Sequence, residues 1–181
     1  MRDVVLYSLV SLDGVAEAPD TFVLDWDDEV DDHLAAVIAE QDAVLLGRRT
    51  YDEWSGYWPS SEIEPFAAFI NAVDKYVFTS TAMSDGWSNS HVVREPAATA
   101  VADLKRSDGG TIGIHGSLTL ARSLLAAGLV DELRLVVAPV SVGVGRRLFD
   151  ETGLHRWTLV SGSATPSGTV LQRYRLGGRT R

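Results

Sequence analysis

Apolar and polar positions along the chain switch repeatedly between two periods. VVLYSLV (Val4–Val10) is a run of strand length and reads as a first strand. Residues 11–26 lose the pattern and carry the turn pairs Asp13–Gly14 and Pro19–Asp20, so they read as a long loop. Over Asp27–Glu40 the period becomes helical. Leu34, Val37 and Ile38 share one face, and acids fill the first turns, where they complement the helix dipole. Ala43–Leu46 is a short apolar run with the character of a buried strand, followed by a short helix over Arg49–Trp54 and a Gly- and Pro-containing loop over Ser55–Ser61.

The same alternation continues. Helices are predicted over Glu64–Ala72, Ala97–Arg106 and Ser117–Ala127, the last closed by Gly128. Strands are predicted over Lys75–Thr79, His91–Val93, Thr111–Ile114 and Leu133–Val137. Two more, Arg156–Val160 and Thr169–Arg175, read as a hairpin around SGSATPSG. Strands separated by helices imply an α/β sheet with parallel pairs, and two consecutive strands at the end add an antiparallel edge. The 181 residues suit a single domain over 1–176, with a loose tail over 177–181.

Composition narrows the chemistry. The formal charge of -9 argues against a general nucleic-acid surface. With no cysteine, disulfides, thiolate catalysis and Cys-ligated zinc are excluded, and the four scattered histidines have no helical ligand spacing, so no metal site is expected. No run reaches membrane-spanning length, and a cytoplasmic location is the expectation. The charge is uneven. Residues 1–65 hold 16 acids and three bases, whereas 66–181 carry a net positive charge. The acidic stretch is either a solvated face or a wall disfavouring anionic substrates.

In open α/β sheets, ligands gather at the carboxyl ends of strands. Three polar segments fall there: GRRT (47–50), TST (79–81) and HGS (115–117). Arginine at a strand end can hold phosphate bidentately, although Arg48 and Arg49 could equally pair with nearby acids. Ser117 is a candidate N-cap, Gly116 permits close backbone approach, and the following helix start favours an anion. Singly each segment is an ordinary turn; together they describe a bed for a multiply phosphorylated ligand. No G-x-G-x-x-G follows the first strand, and neither a P-loop nor a G-x-S-x-G elbow is present.

SLDG (11–14), LLGRRTY (45–51), FTST (78–81), HGSLTLARSLLAAGLVDELRL (115–135) and PVSVGVGRRLF (139–149) together resemble the dihydrofolate reductase-like superfamily. The match is to the branch containing the riboflavin-biosynthesis reductase domain and its stand-alone relatives, and HGS points to the latter. The resemblance implies a three-layer fold built on a mostly parallel eight-stranded sheet, NADPH as cofactor, and a homodimer. Gly47, Arg48, Arg49 and Thr50 would meet the cofactor phosphates. Thr79, Ser80 and Thr81 would lie by the adenosine ribose. His115, Gly116, Ser117 and Leu118 would run along the pyrophosphate, and Leu12, Asp13 and Gly14 would begin the loop over the nicotinamide. Asp13, Asp31 and Asp32 are candidate proton sources. Trp26, Trp54, Tyr57 and Trp58 are candidate walls for a flat substrate, or loop packing. The expected activity is hydride transfer from NADPH to a small heterocyclic or imine-like substrate. The alternatives are a non-catalytic nucleotide- or flavin-binding module of the same fold and a folate reductase. The last is disfavoured because the pattern around Asp31 and Asp32 does not match.

Overall fold

A computed structural model describes residues 1–83 and 86–177. The chain runs β1 (Val4–Val10), α1 (Asp28–Ile38), β2 (Gln41–Gly47), α2 (Arg48–Ser55), α3 (Phe66–Ala72), β3 (Asp74–Phe78), β4 (Ser90–Val93), α4 (Ala97–Leu104), β5 (Thr111–Ile114), α5 (Leu118–Ala126), β6 (Glu132–Val137), β7 (Trp157–Ala164) and β8 (Val170–Leu176). The eight strands form one sheet in the order β4-β3-β2-β5-β1-β6-β8-β7. β1 to β6 are mutually parallel, and β8 pairs antiparallel with both β6 and β7. Apart from Gly177, the expected tail lies outside the described residues.

Three layers follow from strand alternation. Val4 and Leu6 of β1 pack with Ile112 and Ile114 of β5 against α4 and α5, through Val101, Leu120, Leu124 and Leu125. Val5 and Tyr7 point the other way and pack with Val44 and Leu46 of β2 against α1, α2 and α3, through Val30, Leu34, Tyr51 and Ile70. A central strand buried on both faces has no polar face to show, which is why β2 reads as a continuous apolar run.

Two sequence expectations change. SGSA belongs to β7, not to the hairpin turn, which is the shorter segment 165–169 closed by Thr165 N–H donating to the Thr169 carbonyl. The β7 residues 161–164 are exposed and small, so no hydrophobic alternation announces them. Leu133–Val137, which together with the last hairpin reads from the sequence as apolar edge surface, lies inside the sheet between β1 and β8, and the edge strands are β4 and β7.

Candidate cofactor and substrate site

β2 lies between β3 and β5, so the three polar segments emerge side by side at the carboxyl end of the sheet. They are also bonded to one another. The Gly47 N–H donates to Ser117 Oγ at 2.9 Å, joining the turn after β2 to the turn after β5. Arg48 donates from Nη1 to Thr81 Oγ1 at 2.7 Å and to the Ala82 carbonyl at 2.6 Å, joining α2 to the segment after β3. Its Nε is held by Asp52 at 2.8 Å, while Arg49 pairs with Glu53 at 2.9 Å. The arginines therefore pair one helical turn ahead on α2, not with the acidic stretch, and the Arg49 side chain is 76% exposed.

The glycines here have steric causes. Gly116 has φ +65, and a Cβ on it would sit 2.6 Å from Trp54 Cζ2. Trp54 thus presses its six-membered ring against the turn, so only a residue without a side chain fits there. Gly113 on β5 leaves the space through which Gln41 reaches His115.

Several candidate residues offer backbone, not side chains. His115, Ser117, Thr50 and Leu118 are buried. Ser117 occupies the N-cap position of α5 but makes no cap hydrogen bond, because its hydroxyl serves Gly47. His115 Nε2–H donates to Gln41 Oε1 at 2.8 Å among the rings of Tyr7, Phe66 and Phe69. Burial pushes its pKa down to about 3, so it stays neutral. Thr79, Ser80 and Thr81 are accessible at the end of β3, with Thr79 Oγ1 accepting from the Thr81 N–H.

The SLDG turn is a clamp. Asp13 accepts from the Val142 and Gly143 N–H groups, both at 2.9 Å, and from the Ser11 hydroxyl at 2.7 Å. These bonds, with the Val142 amide dominant, lower its pKa to about 2. An aspartate so satisfied holds the loop after β1 to the loop after β6 and is a poor proton donor, which weighs against its catalytic candidacy. Leu12 is exposed beside it, and Gly14 turns with φ +80. Asp32 faces solvent on α1. Asp31 accepts from Trp26 Nε1 at 2.7 Å and acts electrostatically on Tyr7. Of the three carboxylates, Asp31 alone is placed against the inner layer.

The aromatic candidates divide. Trp54, Trp58 and Phe66 meet edge to face, at 5.9 Å between the tryptophans and 4.8 Å between Trp58 and Phe66. Tyr57 and Trp26 are exposed. Cations outside the sequence candidates also stand here. Arg146, from GVGRRLF, donates to Thr119 Oγ1 at 3.1 Å in the first turn of α5 and pairs with Glu17 at 2.8 Å. Its motif carried the resemblance, yet no local pattern ties residue 146 to residue 119.

The profile of the RibD C-terminal domain matches residues 2–171. The chain belongs to this family. It is 32% identical over 156 residues to the uncharacterized protein YwjB of Bacillus subtilis (strain 168), covering 83% of this chain and 84% of that one. It is 30% identical over 156 residues to YyaP of the same organism, covering 82% and 80%. In structure it resembles a putative riboflavin biosynthesis protein from Shewanella sp. PV-4, with a TM-score of 0.78, 17% identity and coverage of 97% and 99%. It also resembles a bifunctional deaminase/reductase of Thermotoga maritima (TM-score 0.67, 14% identity), covering 97% of this chain and 57% of that one. This RibD C-terminal domain thus has the family's eight-stranded, mostly parallel sheet with one antiparallel edge.

Proposed function

We propose that this RibD C-terminal domain is an NADPH-dependent reductase of a small heterocyclic or imine-like substrate. The observation that carries the reading is the adjacency of three bonded strand-end segments, Gly47–Thr50, Thr79–Thr81 and His115–Leu118, at the carboxyl edge of the sheet. The residues fit such a cofactor. The first turn of α5 presents backbone N–H groups that lack intrahelical acceptors, which suit a pyrophosphate. The Arg49 side chain, two residues after Gly47, is exposed, and the β3 end is lined with hydroxyls. NADPH, when bound, supplies the hydride. The chain's own residues bind and orient it, exclude water, and bring a proton, for which Asp31 is the candidate.

Titration of purified protein with NADPH and NADH, read by tryptophan fluorescence, tests the reading. The expected result is saturable NADPH binding and weaker NADH binding. No binding of either cofactor overturns it. Binding without NADPH oxidation across a panel of heterocycles and imines would turn it into a nucleotide-binding module.

A further inference from the structure

At the end of the sheet opposite the strand-end bed, β2 begins with a β-bulge. Gln41 pairs with Thr111 and Ala43 with Ile112, so Asp42 is the extra residue. The bulge changes which way Gln41 faces. In a regular strand it would share the face of Ala43, which packs on the α4 and α5 side. Instead Gln41 turns to the α3 side, and its amide lies over Gly113, which has no Cβ to block it. Gln41 is 8% exposed. Its Oε1 is taken by His115 at 2.8 Å, and its Nε2 has no hydrogen-bond partner among the described residues.

Gln41 lines an open cavity of about 390 Å³ between the carboxyl end of α3 and the starts of β2 and β3, a volume in the range of small-ligand sites. The other walls are Asp42, Phe69, Ala72, Val73, Asp74 and Asn89, with no Lys, Arg or His among them. The Asp42 and Asp74 side chains are half-exposed, and each meets its partner, Arg2 or His91, through Oδ1. Asn89 spends its Nδ2 on the Ala72 carbonyl at 2.8 Å, leaving Oδ1 to accept. The cavity thus offers carboxylate and amide acceptors, an apolar wall, and one buried donor with nothing to donate to. Among the described residues no group of three or more His, Cys, Asp or Glu could hold a metal ion, so the carboxylates suit an organic cation.

We propose that this cavity binds a small organic cation that carries a hydrogen-bond acceptor at its far end. Asp42, Asp74 and Asn89 take the ammonium, Phe69 takes the apolar body, and Gln41 Nε2 donates to the acceptor. An anion of the same shape is repelled by the two carboxylates. Gln41 also holds His115, so the site adjoins the strand-end bed through one side chain without sharing its residues. The inference does not rest on the reductase reading.

The test titrates the full chain with three probes, read by calorimetry and by amide chemical shifts. Tyramine has both ends, phenethylamine lacks the phenol oxygen, and 4-hydroxyphenylacetate reverses the charge. Tyramine should bind and shift the amides of residues 72–74 and 89. Phenethylamine should bind about five- to tenfold more weakly, the effect of one lost hydrogen bond, and 4-hydroxyphenylacetate should not bind. Asp74→Asn should weaken tyramine about two- to fivefold, the worth of an exposed ion pair. Gln41→Leu should bind tyramine and phenethylamine equally. Saturating NADPH should not displace tyramine. The proposal is overturned by absence of tyramine binding, by 4-hydroxyphenylacetate binding as tightly, or by displacement with NADPH. A Gln41→Leu variant that still prefers tyramine overturns it too. Should Gln41→Leu not fold, Asp74→Asn and the shifts decide, and unchanged tyramine affinity or shifts confined to other residues overturn it. If tyramine binds as expected and NADPH does not bind, this proposal stands and the reductase reading falls.

Discussion

Lys75 shows how a charge survives in a core. Its side chain is fully buried, and its ammonium donates to the Ile70 and Val73 carbonyls at the end of α3, at 2.9 and 2.8 Å, 4.7 Å from the Trp87 ring. Burial nevertheless lowers its pKa to about 8. The unfolded chain, with an ordinary lysine, therefore binds more protons than the folded one between about pH 8 and 10.5, and stability should rise with pH across that window. Thermal melts of the protein and of Lys75→Met should show the rise only in the former. Asp27 has the opposite sign. It caps α1 through the Val30 N–H at 3.1 Å and also accepts from the Ser167 N–H at 3.0 Å. The Thr165 hydroxyl and these bonds, outweighing desolvation, lower its pKa to about 2. Its stabilisation is complete above the ordinary carboxylate range near 3.8 and is lost as pH falls through about 2. Asp27→Asn should melt lower at neutral pH and lose less on acidification.

At the scale of elements, the strand-end turns act as pairs. Ser117 is the acceptor that fixes the turn after β2, so Ser117→Ala leaves the Gly47 N–H without its acceptor and should cost about 1 kcal/mol or more in urea melts. Gly116→Ala meets both a positive φ and the Trp54 ring, and should cost about 1–3 kcal/mol. The two arginines of α2 should separate. Arg48 ties α2 to Thr81 and Ala82, so Arg48→Ala should lower both stability and cofactor affinity. Arg49 bonds to Glu53 of its own helix and otherwise feels only the charge of Glu17 among the interactions of the described residues, so Arg49→Ala should change the melting temperature little. On the reductase reading it loses NADPH affinity by about ten- to a hundredfold, the worth of a charge-assisted phosphate bond. Unchanged NADPH affinity in both variants would reduce the pair to helix salt bridges. A loss confined to NADPH, sparing NADH, would locate the affected arginine at the 2′-phosphate.

For the whole molecule, the sheet leaves β7 as a long edge. Nearly all its residues are exposed, including Leu159 at 57% and Val160 at 48%. An edge of that length and character invites pairing. The homodimer implied by the family resemblance would use it, with light scattering reading a dimer for the protein and a monomer for Leu159→Asp/Val160→Asp. A monomer for the unmodified protein at micromolar concentration removes the idea. The interior on the α1 side of β6 and β8 is ordered by a different rule. Glu132 is 2% exposed and accepts from Arg134, Arg173 and Arg175. Burial works against its charge, but the three guanidiniums outweigh it and hold the carboxyl below its usual range.

The amino-acid sequence by itself determined the elements, their alternation and the fold class, because periodicity and turn residues are local. β1 and β5 fall on the expected residues, and the other helices and strands up to β6 lie within two residues of their expected ends. It also determined the family, since GRRT, TST and HGS occur in order along the chain. Tertiary structure alone decided which side chains those motifs turn inward. Ser117 serves Gly47, 70 residues away, and Asp13 serves Val142, 129 residues away. It alone brought Tyr7 and His33 together under α1. The reason is physical. A hydroxyl or carboxylate takes whatever partner the packed chain delivers, and its own neighbours in sequence carry no record of which strand end or loop that will be.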